Sequence, residues 1–457
     1  MSESAPLMIG VSGVRGIIGQ SLTPVVAANF GAAFGTLLGG SQCGARVVVG
    51  RDSRPSGLMV RDAVASGLQA TGCHVVDLNV VSTPGTALMT ALKEADGGLV
   101  ITASHNPLIW NGIKFLQANG TALSAQQAQK LADCYHAQDF RYADVEQVGG
   151  SSSDTTTHMA HCEAVLRHLD KTLVSSKRYK VALDSVNGAG CSGTAMLLSK
   201  LGCELIHLNG EPSGRFAHTP EPIAENLTEL AAAVESRRVD VGFAQDPDAD
   251  RLAIVDETGC FIGEEYTLAL AAKSILAKRG KGATVAANLS TSRMIDDLAV
   301  KAGTRVIRTK VGEANVAEAM AEHDCVLGGE GNGGLIVPGI VPVRDSFSAI
   351  GIVLELMAES GKSISQLVAE IPRYHMIKTK FIATAKRAKQ ILNSLPSHFA
   401  DQKVDTQDGL RVDWPDKWVN IRASNTELIV RVMAEAKTEV EAQELVDHMQ
   451  NLVERIY

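Results

Sequence analysis

The sequence is poor in aromatic residues, and it lacks long apolar runs, dense basic runs and paired cysteine motifs. Aromatic residues make up 4% of the 457 residues. No apolar stretch reaches the ~18 residues of a membrane span, so we expect no membrane partner. The net charge of −8, without any basic cluster, argues against a nucleic-acid partner. The N-terminus also lacks the basic and then apolar pattern of a secretion signal.

The eight cysteines are scattered along the chain and form no Cys-x-x-Cys pair. This usage is typical of small core residues in a reduced protein rather than of a disulfide framework. Together with the missing secretion signal, it predicts a cytoplasmic protein. The length alone predicts about three or four domains.

A unit of strand, polar loop, helix and second strand recurs three times. Its paired strands are expected at 46–50 with 73–78, 179–183 with 203–206, and 283–287 with 304–307. The copies lie too far apart for a solenoid, whose repeats are about 20–50 residues long. Units of this kind predict an α/β fold with three similar α/β domains in series, each built on a mixed sheet with helix-covered faces.

The last part of the chain has a different pattern. Apolar and polar residues alternate over 418–422 and 428–432, and a helix is expected from about Val440. This predicts antiparallel strands with helices, and therefore a C-terminal α+β domain. Because a Gly/Ser/Thr-rich tract at 149–157 marks the first boundary, the predicted domains are 1–155, 156–258, 259–373 and 374–457.

Residues 102–107 read Thr-Ala-Ser-His-Asn-Pro and follow an apolar run that predicts a buried strand. Pro107 lacks a backbone donor and restricts Asn106, so the chain should leave the strand as a bent loop. A hydroxyl at Ser104, lifted off a strand end beside a histidine, suits a group that meets a substrate. The alternative is that Ser104 only caps a turn.

Asp246, Asp248 and Asp250 occupy every second position of one loop. In an extended loop this spacing turns the three carboxylates to one side, where they repel unless a cation lies among them. Few carboxylates with all-oxygen ligation favour Mg²⁺. A calcium EF-hand requires glycine where Arg251 stands. An aspartyl phosphatase would use Asp248 and Asp250, but this chain lacks the hydroxyl expected two positions later. A solvated acidic turn is the remaining alternative.

Two further stretches carry polar groups in loops. Residues 328–334 read Gly-Gly-Glu-Gly-Asn-Gly-Gly and leave Glu330 and Asn332 as the only side chains, which together can bind vicinal hydroxyls. The alternative is a hinge. Residues 422–427 read Arg-Ala-Ser-Asn-Thr-Glu and precede Arg431, a set of donors that suits a phosphate dianion. The alternative there is a β-turn with satisfied polar ends.

These four stretches, in this order and one per predicted domain, resemble the α-D-phosphohexomutases. The resemblance extends over essentially the whole chain, from Ser-Gly-Val-Arg-Gly at 12–16 to Arg431. It implies four domains around a central cleft. It also implies an isomerase that interconverts the 6- and 1-phosphates of a hexose or hexosamine through a phosphoserine and a 1,6-bisphosphate. Phosphoglucosamine mutase and phosphomannomutase/phosphoglucomutase are the implied activities.

The resemblance also implies roles for individual residues. Ser104 would be the phosphoserine, and its phosphate oxygen would join Asp246, Asp248 and Asp250 in holding Mg²⁺. The groups near the transferred phosphate and the proton would be Arg15, His105 and Lys114. The substrate-binding residues would be Arg251, Lys310, Glu330, Asn332, Arg422, Ser424, Asn425, Thr426 and Arg431. A hexose 1,6-bisphosphate would be the activator, and the protein would be a monomer or homodimer.

The glycine-rich loop departs from the family pattern. The common loop is Gly-Glu-x-Ser-Gly-His, whereas here Asn332 replaces the serine and Gly334 replaces the histidine. The missing histidine would normally help to bind the substrate phosphate. The altered loop supports one alternative function, a non-catalytic sugar-phosphate-binding paralogue. A metal-dependent aspartyl phosphatase that uses Asp248 is a second alternative.

Overall fold

Four β-sheets follow one another along the chain in the computed structural model, which describes residues 6–39, 44–423 and 429–455. The strands are β1 (Met8–Gly10), β2 (Gly13–Ile17), β3 (Arg46–Arg51), β4 (His74–Val80), β5 (Gly97–Ile101), β6 (Trp110–Gln117), β7 (Ser151–Ser153), β8 (Lys180–Asp184), β9 (Glu204–Leu208), β10 (Val241–Gln245), β11 (Leu252–Val255), β12 (Thr284–Asn288), β13 (Arg305–Thr309), β14 (Leu327–Glu330), β15 (Gly334–Ile336), β16 (His375–Ile382), β17 (Lys403–Asp405), β18 (Leu410–Asp413), β19 (Trp418–Ala423) and β20 (Ile429–Ala436).

Helices cover the faces of these sheets. They are α1 (Pro24–Leu37), α2 (Gly57–Ala70), α3 (Thr83–Leu92), α4 (Ala125–Ala137), α5 (Thr157–Leu166), α6 (Lys171–Lys177), α7 (Gly190–Lys200), α8 (Thr228–Arg237), α9 (Glu265–Arg279), α10 (Met294–Ala302), α11 (Glu313–Glu322), α12 (Ser346–Ser360), α13 (Ile364–Ala369), α14 (Ala385–Ser394) and α15 (Glu439–Arg455). No helix in the described ranges combines the length and the apolar character that a membrane crossing requires.

The first three sheets contain the same four-stranded core. In β3–β6, β8–β11 and β12–β15, three parallel strands are followed by an antiparallel fourth strand, in the spatial order second, first, third, fourth. The first sheet adds β1 and β2 beyond β6, and β7 beside β4. The predicted repeat of mixed-sheet α/β domains is therefore confirmed.

Local sequence explains why these elements form. Val47, Val48 and Val49 of β3 are fully buried, as expected of a strand covered on both faces. Helix α1 begins at the Thr23 cap, whose side chain accepts from Val26 N–H. Gly31 of α1 lets the backbone of α2 approach closely, because a Cβ there would lie 2.3 Å from the Val64 carbonyl oxygen.

The second and third domains share one hydrophobic core. Helix α12 is buried along almost its whole length, and Phe347 at its start stacks on His161 of α5 with ring centroids 4.3 Å apart. His161 Nε2 also lies 3.0 Å from the Asp345 carboxylate, which caps α12. This shared core fixes the second domain against the third and so fixes the relative positions of their loops.

The fourth domain has a core of its own. Its five antiparallel strands lie in the order β16-β20-β19-β18-β17. Ile421, Val430 and Val432 on one face of this sheet form a cluster with Met449 of α15. The predicted C-terminal α+β domain is confirmed, and its helix begins at Glu439, one residue before the predicted start.

The structure corrects two local expectations. The polar tract at 149–157 contains the edge strand β7, which pairs with β4. Its three serine side chains are exposed, so no apolar pattern marks it. Gly328 and Gly329 belong to strand β14 rather than to a loop. Methionine and leucine side chains pack into the space beside these two glycines, which leaves no room for a Cβ.

Candidate active site

Three of the four motifs occupy the same topological position. Each forms the hairpin from the third, parallel strand to the antiparallel fourth strand, at 102–109, 246–251 and 331–333. These hairpins leave the carboxyl ends of the parallel strands, where α/β sheets bind ligands. The repeated topology therefore places one polar loop from each α/β domain at the edge where a ligand is expected.

Arg54 holds the backbone of the Ser104 loop. Its guanidinium is fully buried and donates to the carbonyl oxygens of Ser104 at 2.7 Å and Asn106 at 2.6 Å, and to one further carbonyl of the loop and the first carbonyl of β6. Asp52 pairs with Arg54 at 3.0 Å and accepts from Thr102 Oγ1 at 2.7 Å. This network keeps Ser104 in the left-handed region at φ 50°, a conformation that non-glycine residues adopt mainly where the surroundings enforce it.

The Ser104 hydroxyl meets the aspartate cluster. Ser104 Oγ donates to Asp246 Oδ2 at 2.8 Å, although the two residues are 142 positions apart in the chain. His105 Nδ1 lies 3.3 Å from Ser104 Oγ. The structure therefore brings together the hydroxyl of the first domain and the carboxylates of the second, as predicted from the sequence.

The aspartate loop is a tight turn and not the extended segment that the alternating spacing suggested. Ala249 adopts φ 55°, and Asp246 Oδ1 accepts from the backbone N–H groups of Asp250 at 3.1 Å and Arg251 at 3.2 Å. The carboxylates still converge, since one oxygen from each of the three aspartates lies within 4.8 Å of the others. The expectation of an extended loop was wrong because side-chain acceptors fold this loop around its own backbone.

Two cations face the aspartates. Lys114 Nζ donates to Asp248 at 2.7 Å and to Asp250 at 3.2 Å, and Arg344 donates to Asp250 at 2.6 Å. Burial alone would lower the pKa of Lys114, but the two carboxylates raise it above its ordinary value. Burial, and then repulsion by Asp248 and Asp250, raises the pKa of Asp246 well above its usual range.

The donor set fits a magnesium ion. Asp248 Oδ1 and Asp250 Oδ1 are buried and have no hydrogen-bond partner within the described residues. Two lone carboxylate oxygens beside a third carboxylate and a serine oxygen form the hard, all-oxygen environment that Mg²⁺ prefers. A metal bound among them would give these buried oxygens the partner that the protein does not supply.

The cleft beside Ser104 is rich in positive charge. Arg15 Nη1 donates to Asn106 at 3.1 Å, and Arg251 Nε lies 3.9 Å from Asp250. Burial first, and then the charges of Arg251 and Arg15, lower the pKa of His105 to about 3. The imidazole beside Ser104 is therefore neutral near pH 7.

The hairpin β14–β15 carries the two predicted sugar-binding residues. Glu330 is buried, accepts from Asn288 Nδ2 at 2.8 Å and from Gly312 N–H at 3.0 Å, and pairs with Arg344 at 2.8 Å. Asn332 Oδ1 is buried without a partner in the described part of the chain. Both lie next to the aspartate loop, because Leu252 N–H, directly after that loop, donates to the Gly333 carbonyl at 3.0 Å.

The remaining predicted residues are more dispersed. Lys310 follows β13, and its exposed side chain makes no hydrogen bond or ion pair within the described ranges. Arg422 and Arg431 are cross-strand partners on β19 and β20. The predicted contacts of Ser424, Asn425 and Thr426 lie outside the described residues.

Sequence reasoning missed several residues that organise the site. Thr83 Oγ1 donates to Asp248 at 2.7 Å from the start of α3. Glu313 accepts from the Arg344 backbone N–H at 3.0 Å. The remaining members of this group are Asp52, Arg54, Thr102 and Arg344. The Arg-Asp-Ser-Arg stretch at 51–54, where β3 ends, was a visible signal for Arg54, since charged residues at the end of a buried strand need partners. No local signal marked Arg344.

The fold and the site define a phosphotransfer protein with a serine and a carboxylate cluster at the meeting point of α/β domains. Models of the phosphoglucomutase/phosphomannomutase family match in order: alpha/beta/alpha domain I at residues 6–142, domain II at 159–259, domain III at 264–374 and the C-terminal domain at 381–452. The chain belongs to this family and is an enzyme of the phosphohexomutase class.

Individual relatives agree with this family over nearly their whole length. A phosphoglucomutase/phosphomannomutase of Thermococcus kodakarensis is 40% identical over 96% of this chain and 97% of its own. A probable phosphoglucosamine mutase of Methanopyrus kandleri is 38% identical over 98% and 97%. A solved phosphoglucomutase/phosphomannomutase family protein from Burkholderia thailandensis superposes with a TM-score of 0.86 at 28% identity, with 98% of each chain covered.

Proposed function

We propose that the protein interconverts the 1- and 6-phosphates of a hexose or hexosamine through phosphorylated Ser104 and a 1,6-bisphosphate. The contact between Ser104 Oγ and Asp246 Oδ2, at 2.8 Å, is the observation that carries this proposal. This contact supports a role for Ser104 Oγ as the atom that carries the phosphate, because it lies beside a carboxylate that would bind the metal. Glucosamine, glucose and mannose phosphates are the proposed substrates, and the corresponding bisphosphate is the proposed activator.

The proposed reaction consists of two phosphoryl transfers. In the first, the bond from phosphorus to Ser104 Oγ breaks as a bond to a sugar hydroxyl oxygen forms. The proton of that hydroxyl passes to a base in the cleft. His105 Nδ1, 3.3 Å from Ser104 Oγ, is within reach, and a phosphate dianion on Ser104 would raise the pKa of the imidazole towards the range that a general base needs. After the bisphosphate reorients, its other phosphate passes to Ser104 Oγ as the bond from phosphorus to the sugar oxygen breaks, and that oxygen takes up the proton that the base received in the first step. The sugar then leaves with its phosphate at the other position.

Charge neutralisation and positioning supply most of the catalysis in phosphoryl transfer. Asp246, Asp248 and Asp250, together with an oxygen on Ser104, would hold Mg²⁺, which would neutralise charge on the transferring group. Lys114 lies within 3.2 Å of two of these carboxylates, so its ammonium is close to the same position. Arg15 would orient the loop through Asn106.

The remaining predicted residues would bind the rest of the substrate. Glu330 and Asn332 lie next to the metal loop, and the partnerless Asn332 Oδ1 can accept from a sugar hydroxyl. Arg422 and Arg431 on the fourth domain would hold the phosphate that is not being transferred. Lys310, at the end of β13, has an exposed ammonium that is available to a ligand.

The test follows the phosphate on the sugar and on Ser104. Purified protein, Mg²⁺ and a catalytic amount of glucose 1,6-bisphosphate are mixed with glucose 1-phosphate, and ³¹P NMR follows the appearance of the 6-phosphate. We expect Ser104→Ala to abolish interconversion and to remove the phosphate that mass spectrometry finds on the corresponding peptide. Ser124→Ala, which removes a helix cap on α4, is the matched control and should keep both.

Full interconversion by Ser104→Ala would contradict the proposal. Release of inorganic phosphate that depends on Asp248 but not on Ser104 would favour a phosphatase instead. Parallel assays with glucosamine 6-phosphate and mannose 1-phosphate, each with its own bisphosphate, identify the preferred sugar. If the protein binds these compounds but interconverts none of them, it is a sugar-phosphate-binding paralogue.

A further inference from the structure

Position 334 is a glycine, and an arginine from another part of the chain fills the space beside it. A Cβ on Gly334 would lie 2.2 Å from Cδ of Arg344 and 3.0 Å from its Cγ. Heavy atoms do not approach so closely, so a side chain at position 334 requires Arg344 to move. The glycine is therefore required by the path of the Arg344 side chain.

The guanidinium of Arg344 links the second domain to the third. Nη2 donates to Asp250 Oδ2 at 2.6 Å, and Nη1 donates to Glu330 Oε2 at 2.8 Å. Nε lies 3.4 Å from Glu313 Oε2. All four side chains are largely buried, so the charge is not screened by water. One cation thus joins the aspartate loop, the glycine-rich hairpin and the start of α11.

The contact with Asp250 selects one of its oxygens. Arg344 and Lys114 both donate to Oδ2. Oδ1 has no hydrogen-bond partner within the described residues, with Arg251 Nε 3.9 Å away, and is left for a metal ion. Arginine suits this task because its planar fork can satisfy two carboxylates in fixed directions, whereas lysine offers a point charge.

We propose that Arg344 is a positioning residue that orients Asp250 for the metal and Glu330 for the sugar, and that Gly334 is its obligatory partner. This inference rests on the proposed function. Arg344 couples the aspartate loop to the glycine-rich hairpin through the space beside Gly334. Partners that orient metal ligands in this way typically contribute 10–100-fold to metal affinity.

The test measures metal affinity directly. Mn²⁺ is titrated into the full-length protein, and electron paramagnetic resonance reports the free ion. We expect Arg344→Lys, which keeps the charge but loses the fork, to weaken Mn²⁺ binding about 10-fold. Gly334→Ala should weaken it to a similar extent by displacing Arg344. Arg61→Ala, which removes an ion pair with Asp77 on α2 and β4, is the control and should leave it unchanged.

A double-mutant cycle tests the pairing. Added to Arg344→Ala, the change Gly334→Ala should alter Mn²⁺ affinity by less than about twofold, because the displaced side chain is already gone. If the two substitutions reduce Mn²⁺ affinity by factors that multiply, the pairing of Gly334 with Arg344 is wrong. If folded Arg344→Lys binds Mn²⁺ as tightly as the wild type, the positioning role is wrong. Circular dichroism shows whether Arg344→Ala folds. If it does not, the Mn²⁺ affinities of Gly334→Ala alone and of Gly334→Ala combined with Arg344→Lys test the pairing instead. Failure of the wild type to interconvert sugar phosphates would instead refute the proposed function.

Discussion

Arg422 and Arg431 lie directly opposite each other on the neighbouring strands β19 and β20. Lys380 on β16 is the partner of Arg431 on its other side, so three cationic residues form a row across three strands. The alternate residues Ile421, Val430 and Val432 face the core, which leaves the row on the opposite face of the sheet. Like charges directly opposite each other destabilise a sheet. A phosphate bound along this row would offset the repulsion.

This row predicts a role for Lys380 in binding the phosphate that is not transferred. We expect Lys380→Ala to raise the KM for a hexose phosphate about 2–5-fold, the range for one exposed charge pair, with kcat less affected. Lys389→Ala on α14, the helix that packs against the core face, is the control. Steady-state kinetics at low and high salt provide the measurement. An unchanged KM at low salt would show that Lys380 does not reach the substrate.

Replacement of Arg54 should destabilise the loop that carries Ser104. Arg54→Lys keeps the charge but cannot donate to all the carbonyls that the guanidinium now satisfies, and an unsatisfied buried acceptor costs about 1–3 kcal/mol. We expect the free energy of unfolding in urea to fall by at least about 2 kcal/mol. Arg61→Lys, on a half-buried ion pair, should change it by less than about 1 kcal/mol.

Repulsion among the three aspartates should make the metal-free wild type less stable than a variant in which one of them is neutral. Burial and repulsion by its neighbours disfavour the ionised form of Asp246. We therefore expect Asp246→Asn to raise the melting temperature in EDTA and to lose the further increase that MgCl₂ gives the wild type. Differential scanning calorimetry with and without Mg²⁺ measures both effects.

Asp256→Asn provides a matched control for that experiment. Asp256 is a buried carboxylate outside the cluster, and it accepts from Thr258 and Cys260 N–H groups. Its replacement should lower the melting temperature in both buffers and leave the response to Mg²⁺ intact. A lower melting temperature of Asp246→Asn in EDTA would contradict the argument from repulsion.

Glu265 predicts a pH dependence of stability. Its carboxylate lies against Gly331 and accepts from Ser292 N–H at 2.9 Å. Burial, together with the nearby Glu435 and Glu264 and despite Lys378, raises its pKa to about 8. The folded state therefore retains a proton that the unfolded state releases near its ordinary pKa. The stabilisation is complete below that value and is lost as the pH rises through 8.

Glu265→Gln should remove this dependence. Between pH 6 and pH 9, we expect the melting temperature of the wild type to fall by about 2–4 °C more than that of the variant, which corresponds to roughly 2–3 kcal/mol. Glu318→Gln, which replaces an exposed carboxylate on α11 far from this cluster in sequence, is the control and should retain the wild-type slope. Parallel pH profiles of Glu265→Gln and the wild type would contradict the raised pKa.

The repeated units and the motifs could be predicted because each is a local pattern. The strand before Ser104 and the strands around the aspartates are apolar runs that must be buried, and this alone places polar loops at their ends. A longer loop, 328–334, was predicted where the structure has a hairpin at 331–333. Glycine occurs in loops and in strands alike, so the sequence did not show that Gly328, Gly329 and Gly334 belong to strands. The domain limits and the roles of the site residues stay predictions.

The sequence by itself determined four domains, the family and the residue types of the site, because hydrophobic periodicity and short motifs are local properties of the chain. Only the tertiary structure decided how the aspartates converge and which cations face them. Arg344 lies 94 residues from Asp250, and no spacing rule links them. Such contacts arise only when separate domains pack through a shared core, because burial then forces every charged group at their junction to find a partner.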